Sequence, residues 1–168
     1  MITTGLPSWP PTSSARKTEI VDVANGVSCT DMADFPVKLH RSVGANLDGN
    51  PVVCGGHGSS VHGSYSDICY RFTNGVWEEF ASMKNKRSWA AGVVYNKKLH
   101  VFGGYNGFSL QTRQTSEIID VDGVVNDGPD LPTGVWGHAM TSINDTVSFL
   151  SGGSTDADPA IAQTWYYN

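Results

Sequence analysis

The side chains best suited to chemistry in this 168-residue chain are five histidines and three cysteines. His57 and His62 share one stretch, where they are interleaved with Gly58, Ser59, Ser60 and Gly63. A structural or catalytic metal needs three or four ligands on a stiff backbone. The stretch therefore reads as a solvated loop, and no metal is expected. His100 stands between Leu99 and Val101, where strand alternation predicts a half-buried structural histidine. His40 and His138 sit where apolar runs begin and are placed to line a channel. No G-x-S-x-G elbow, phosphate loop or dinucleotide fingerprint occurs. The glycine-rich residues 103–107 lead from a strand pattern into a loop rather than a helix, so they cannot cradle phosphate as a helix start does. The expectation is a chain with no catalytic residue and no cofactor.

A repeat positions these residues. Glycine pairs stand at Gly55 and Gly56, Gly103 and Gly104, and Gly152 and Gly153, with a degenerate copy at Thr4 and Gly5. The intervals between Gly5, Gly56, Gly104 and Gly153 are 51, 48 and 49 residues. An apolar run precedes each full pair, at 51–54, 99–102 and 147–151, and a β-rich run follows at 18–23, 66–72, 116–121 and 163–167. Asn25 and Gly26, Asn74 and Gly75, and Asp122 and Gly123 come next. Such pairs suit two-residue hairpin turns, whose central residues take positive φ. A further strand follows, clearest at 76–80. Four short antiparallel strands in a period of about 50 residues predict the blades of an all-β propeller.

Composition agrees. Glycine contributes 19 residues and charged residues only 16%, against a usual charged share of about 25%. That favours strands and turns over exposed helices. A net charge of −5 offers no basic field for nucleic acid. No run approaches the length of a membrane span, and residues 1–11 lack the basic start and apolar core of a signal peptide.

Trp77, Met83, Arg87, residues 90–94, residues 99–104, Tyr105 and Asn106, followed by Glu117, Ile118, Ile119 and Asp120, resemble a kelch repeat. The chain departs from that pattern at Ser28 and Val125, where the family has Trp, and at Thr4. The resemblance implies that the strand before each glycine hairpin's second strand lies innermost and the fourth strand outermost. It divides the chain into a partial first blade (1–34), two full blades (35–82 and 83–131) and a partial last blade (132–168), about three and a half in all. Kelch propellers usually close with six or seven blades. Further blades are thus implied, from the same chain or from another. The end units favour a longer chain over two self-associating half-rings, because two copies would duplicate strands. Kelch-type copper radical oxidases use a cysteine–tyrosine crosslink, but Cys69 and Tyr70 are adjacent in one strand and point to opposite faces.

Cys54 and Cys69 occupy the positions of Phe102 and Ile119 in the next repeat, apolar sites on neighbouring strands. Cross-strand neighbours lie within disulfide reach, so a disulfide is expected, with two buried thiols as the alternative. Cys29 aligns with the polar Glu78 and Asn126, which predicts an exposed thiol, free or bonded to another chain. Asn144, Asp145 and Thr146 form a glycosylation sequon at a hairpin tip. Together with the cysteines, it points to a secreted or extracellular glycoprotein.

The long connections 6–17, 57–65, 105–115 and 154–162 leave equivalent strands and emerge on one face. They carry Arg16, His57, His62, Tyr65, Tyr105, Asn106, Phe108 and Arg113, and tyrosine and arginine are favoured interface anchors. Trp77 is expected in the core, and Trp89 and Trp136 are expected to pack at strand starts. The functional expectation is a non-enzymatic extracellular module that binds a protein or glycan partner, or builds a structural assembly, through these loops. Two alternatives stand beside it. One is part of an intracellular kelch adaptor that recruits substrates; the other is a fragment of a copper oxidase or glycan-active propeller.

Overall fold

The computed structural model describes residues 16–22, 24, 27–29, 32–58, 65–107, 111–144 and 147–168, and for Ile20–Asp22 and Val27–Cys29 the backbone alone. Every regular element among the described residues is a β-strand. Val43–Leu47, Asn50–Cys54, Ile68–Thr73 and Val76–Ser82 form the first four-stranded sheet, an antiparallel meander in that order. Ala91–Tyr95, Lys98–Phe102, Ser116–Ile119 and Val125–Asp127 form the second. Ala139–Asn144, Val147–Ser151 and Thr164–Tyr167 form a three-stranded third. An antiparallel pair, Ile20–Asp22 with Val27–Cys29, precedes them.

Three tight turns follow the chemistry of their residues. Asp48 and Gly49, Asn74 and Gly75, and Asn96 and Lys97 all have positive φ, as two-residue hairpins require. The two-residue turn expected at Asp122 and Gly123 is not formed. There the strand ends at Ile119 and the next begins at Val125. The Asp120 carboxylate accepts the N–H groups of Asp122 (3.0 Å) and Val124 (2.9 Å) and holds a wider bend. Asn25 and Gly26 lie outside the described residues, as do the degenerate pair Thr4 and Gly5.

The sheets pack face to face. Their first strands, Val43–Leu47, Ala91–Tyr95 and Ala139–Asn144, lie next to one another in succession. Gly92 permits that approach, since a β-carbon there would stand 2.5 Å from Val43 Cγ1. Leu47, Val52, Leu99, Val101 and Ile119 fill the space between the first two sheets. Phe102, Leu131, Val135 and Leu150 join the second to the third. Phe35, Leu39, Val53, Tyr70 and Trp77 cover the other side of the first sheet. Trp77 is buried, and its indole N–H donates to Thr18 Oγ1 at 2.9 Å.

Cys54 and Cys69 stand directly opposite one another and form a disulfide inside the first core. The counterpart of Cys69 is Ser116, which faces Phe102; Ile119 faces Leu99 instead. The facing residue lies 14 positions after the first glycine of the pair in the first sheet and 13 in the second, so the equivalence runs to Ser116 and not to Ile119. His100 is fully rather than half buried, because the rings of Tyr95 and Tyr167 cover it and the Tyr167 hydroxyl meets its Nδ1 at 2.9 Å.

Candidate functional site

The strand starts near the sheet junctions carry an unusual backbone. Arg41, Trp89 and Gly137 recur every 48 residues, and all three are left-handed, with φ of 62, 57 and 66°. They are linked in series: the Trp89 N–H donates to the Arg41 carbonyl (3.0 Å), and the Gly137 N–H to the Trp89 carbonyl (2.8 Å). Only glycine takes this conformation freely. A bulky residue such as tryptophan in it is an outlier, costing roughly 1–2 kcal/mol. Neither Arg41 nor Trp89 lies in a two-residue hairpin, where turn geometry would demand such a φ.

The strained residues hold their side chains together at the surface. The Arg41 guanidinium lies over the Trp89 ring at 4.6 Å, and Trp89 remains 37% exposed. From Trp89 an arc of rings runs through Trp136 (5.5 Å), Tyr105 (6.3 Å) and Tyr65 (6.2 Å) to His57 (4.7 Å) and His40 (5.1 Å). Short strand pairs hold its far end. Leu39–His40 pairs with His57–Gly58, and Tyr105–Asn106 pairs with Gln111–Thr112, so these connections are not irregular throughout. Ladder register puts His40 opposite His57, and their Nε2 and Nδ1 atoms stand 3.3 Å apart. Burial, and then the Arg41 charge, push both imidazoles below the ordinary histidine range. At neutral pH the pair is therefore uncharged, and Arg41 supplies the arc's positive charge. Arg41 makes no ion pair among the described residues.

A second feature repeats beside each sheet, in the crevice between the incoming link and the third strand. In the second sheet, Arg87 and Glu117 fill it with a fully buried ion pair at 2.9 Å. Arg87 also donates to the carbonyls of Gly103 and Thr115, each at 2.7 Å. Glu117 accepts from the backbone N–H groups of Lys84 and Asn85. In the first sheet, Leu39 and Tyr70 stand in the corresponding places, beside an open cavity of about 510 Å³ with Arg16, Lys38, Tyr65 and Asp67 in its wall. In the third, Val135 and Trp165 do so, and Trp165 lines a cavity of about 410 Å³.

The structure therefore gathers some of the predicted loop residues and scatters others. His57, Tyr65 and Tyr105 join the arc. Arg16 lies on the first-sheet cavity, its Nε donating to the Phe35 carbonyl at 2.8 Å. Arg113 Nε donates to the Lys86 carbonyl at 3.3 Å, and Asn106 serves the short strand pair. His62 and Phe108 lie outside the described residues, as does the Cys29 side chain. Asn144 ends the first strand of the third sheet, exposed, with its Oδ1 accepting the Val147 N–H at 2.9 Å. Arg41, Trp89 and Trp136 were absent from the predicted surface. The signal that could have found them is the period itself, which sets Arg41 and Trp89 at the place of Gly137. Among the described residues, no group of three or more His, Cys, Asp or Glu could hold a metal ion, and no helix is long and apolar enough to cross a membrane.

No protein-family model matches the chain, and no curated protein matches it in sequence. Solved structures do resemble it. One, described as the structure of YjhT, superposes with a TM-score of 0.74 at 13% identity, covering 99% of this chain and 63% of that one. At that identity the likeness shows the all-β fold alone, and this chain spans less than two thirds of the YjhT structure.

Proposed function

We propose that the chain is a kelch-type β-propeller module that binds a protein or glycan partner outside the cell without catalysing a reaction. The carrying observation is the pair Arg41 and Trp89, both held in left-handed backbone so that a cation and an indole sit stacked and exposed at the end of an aromatic arc. Strain of this kind persists where function requires the geometry. Arginine, tryptophan and tyrosine are the side chains that anchor interfaces most strongly. The successive meanders with neighbouring first strands support the propeller reading, and the similar but longer solved structure leaves room for further blades. A disulfide is at home in an oxidising compartment.

Titrating the protein with glycan and peptide panels, read by tryptophan fluorescence, tests this. A true ligand loses at least tenfold in affinity in both Arg41→Ala and Trp89→Ala, while the two variants unfold cooperatively. A ligand indifferent to both substitutions, or stoichiometric copper in protein purified from its source, would sink the proposal.

A further inference from the structure

Three contacts along the aromatic arc fix the shape of what can lie on it. From Trp89 through Trp136 and Tyr105 to Tyr65 the ring centres stand 5.5, 6.3 and 6.2 Å apart. Neighbouring ring planes are turned by 61, 51 and 65°. The rings therefore make ridges with slots between them and share no flat platform. A sugar chain that stacks its faces on coplanar rings would meet edges here. Backbone bridges seat the ridges: Ser88 and Tyr105 exchange two N–H to carbonyl bonds, and so do Trp136 and Ser154. Gly107 leaves room for Tyr65, whose hydroxyl a β-carbon there would overlap.

The polar groups of this end of the arc are one-sided. Among the described residues, the indole N–H groups of Trp89 and Trp136 and the Tyr105 hydroxyl have no hydrogen-bond partner. Indole and guanidinium groups only donate, and no carboxylate or side-chain amide stands among the rings. The complementary ligand is rich in acceptors and poor in donors. A polyproline II segment has that character. It makes no internal hydrogen bonds, so its carbonyls stand free, and each proline removes an N–H. Its alternate residues lie about 6.2 Å apart along the axis, which matches the spacing of the rings. Aromatic-lined grooves take such pre-extended segments at low entropic cost. At the end of the row, the Arg41 guanidinium over Trp89 suits a charge-assisted bond to a carboxylate.

Resting on the reading of this arc as the binding surface, we propose that its occupant is a proline-rich segment of a partner protein, held as polyproline II with an acidic residue at the Arg41 end. A phage-displayed library of random peptides, selected on the 168-residue protein and counter-selected on its Trp136→Ala variant, tests this. Recovered peptides should carry closely spaced prolines with an aspartate or glutamate to one side. Synthesised and titrated by calorimetry, they should lose at least fivefold in affinity when alanine replaces either proline. Tyr105→Phe keeps the ridge and removes a donor, and should weaken binding at least threefold while the variant still unfolds cooperatively. Arg41→Ala should abolish the preference for the acidic residue and keep that for proline. Recovered peptides without proline, or affinities indifferent to Tyr105→Phe, would overturn the inference. If no peptide is recovered but a glycan requires Arg41 and Trp89, the inference falls and the binding surface stands. If no ligand of either class requires them, both fall.

Discussion

His138 should make this protein acid-labile in a way one substitution removes. Its imidazole is 7% exposed, wedged between the glycine pairs at Gly103 and Gly153. Neither ring nitrogen makes a hydrogen bond of ordinary geometry. Burial lowers its pKa from the usual 6.5 to about 4, the Phe102 backbone offsetting only part of the effect. A folded pKa below the unfolded one means that folding favours the neutral ring. The stabilisation is complete above pH 6.5 and is lost as the pH falls towards 4. Linkage puts the loss between pH 7.5 and pH 4.5 at about 2–3 kcal/mol for this group alone. Urea unfolding at both pH values, followed by tryptophan fluorescence, measures it in the wild type and in His138→Ala. Alanine suits the backbone, because Ala90 holds the equivalent position one repeat earlier. The variant starts lower at pH 7.5, since it leaves a cavity, but the gap between the two proteins should close at pH 4.5 or reverse. His100, also pushed below its ordinary range by burial, is present in both and cancels. A gap that stays constant across the range would refute the reasoning.

Three other outcomes follow from the packing. Glu117→Gln leaves the Arg87 guanidinium buried without its counter-charge and should cost about 3–5 kcal/mol in urea unfolding. The double substitution Arg87→Leu with Glu117→Tyr, which copies Leu39 and Tyr70, should recover most of that. The disulfide spans 15 residues of sequence, so the double alanine variant at Cys54 and Cys69 should lose about 3 kcal/mol; mild reductant should leave the folded protein unmodified, as thiol labelling by mass spectrometry would report. Lys97→Gly, at a hairpin position with φ 58°, should stabilise by up to about 1 kcal/mol, visible as a raised thermal midpoint.

The sheets were legible because their determinants are local. Glycine pairs, alternating apolar runs and Asn-Gly turns each act within a few residues, and the repeat writes them more than once. The disulfide followed from the same register, although the counterpart of Cys69 is Ser116 and not Ile119. Asp120 shows the limit of turn rules: its carboxylate bonds two nearby N–H groups and overrides the Asp-Gly signal two residues on. The site was harder to read. A left-handed Trp89 has no local signature, since tertiary contacts force it against its own preference. Arg87 and Glu117 find each other only because a link and a strand 30 residues apart meet in the fold. The arc joins three repeats, and no single repeat contains enough of it to be recognised.

The glycine pairs also bear on how the molecule is assembled. The Gly56 N–H donates to the Arg87 carbonyl at 2.7 Å, and the Gly104 N–H to the Val135 carbonyl at 2.8 Å. Each meander thus grips the segment of chain that leads into its successor. Pairing within a sheet spans short separations, which form quickly, and coupling between sheets reaches only the nearest neighbour. A ribosome releasing this polypeptide would free each gripping surface before the segment it holds. Folding can therefore advance from the amino end one unit at a time, each finished unit serving as the template on which the next is laid down.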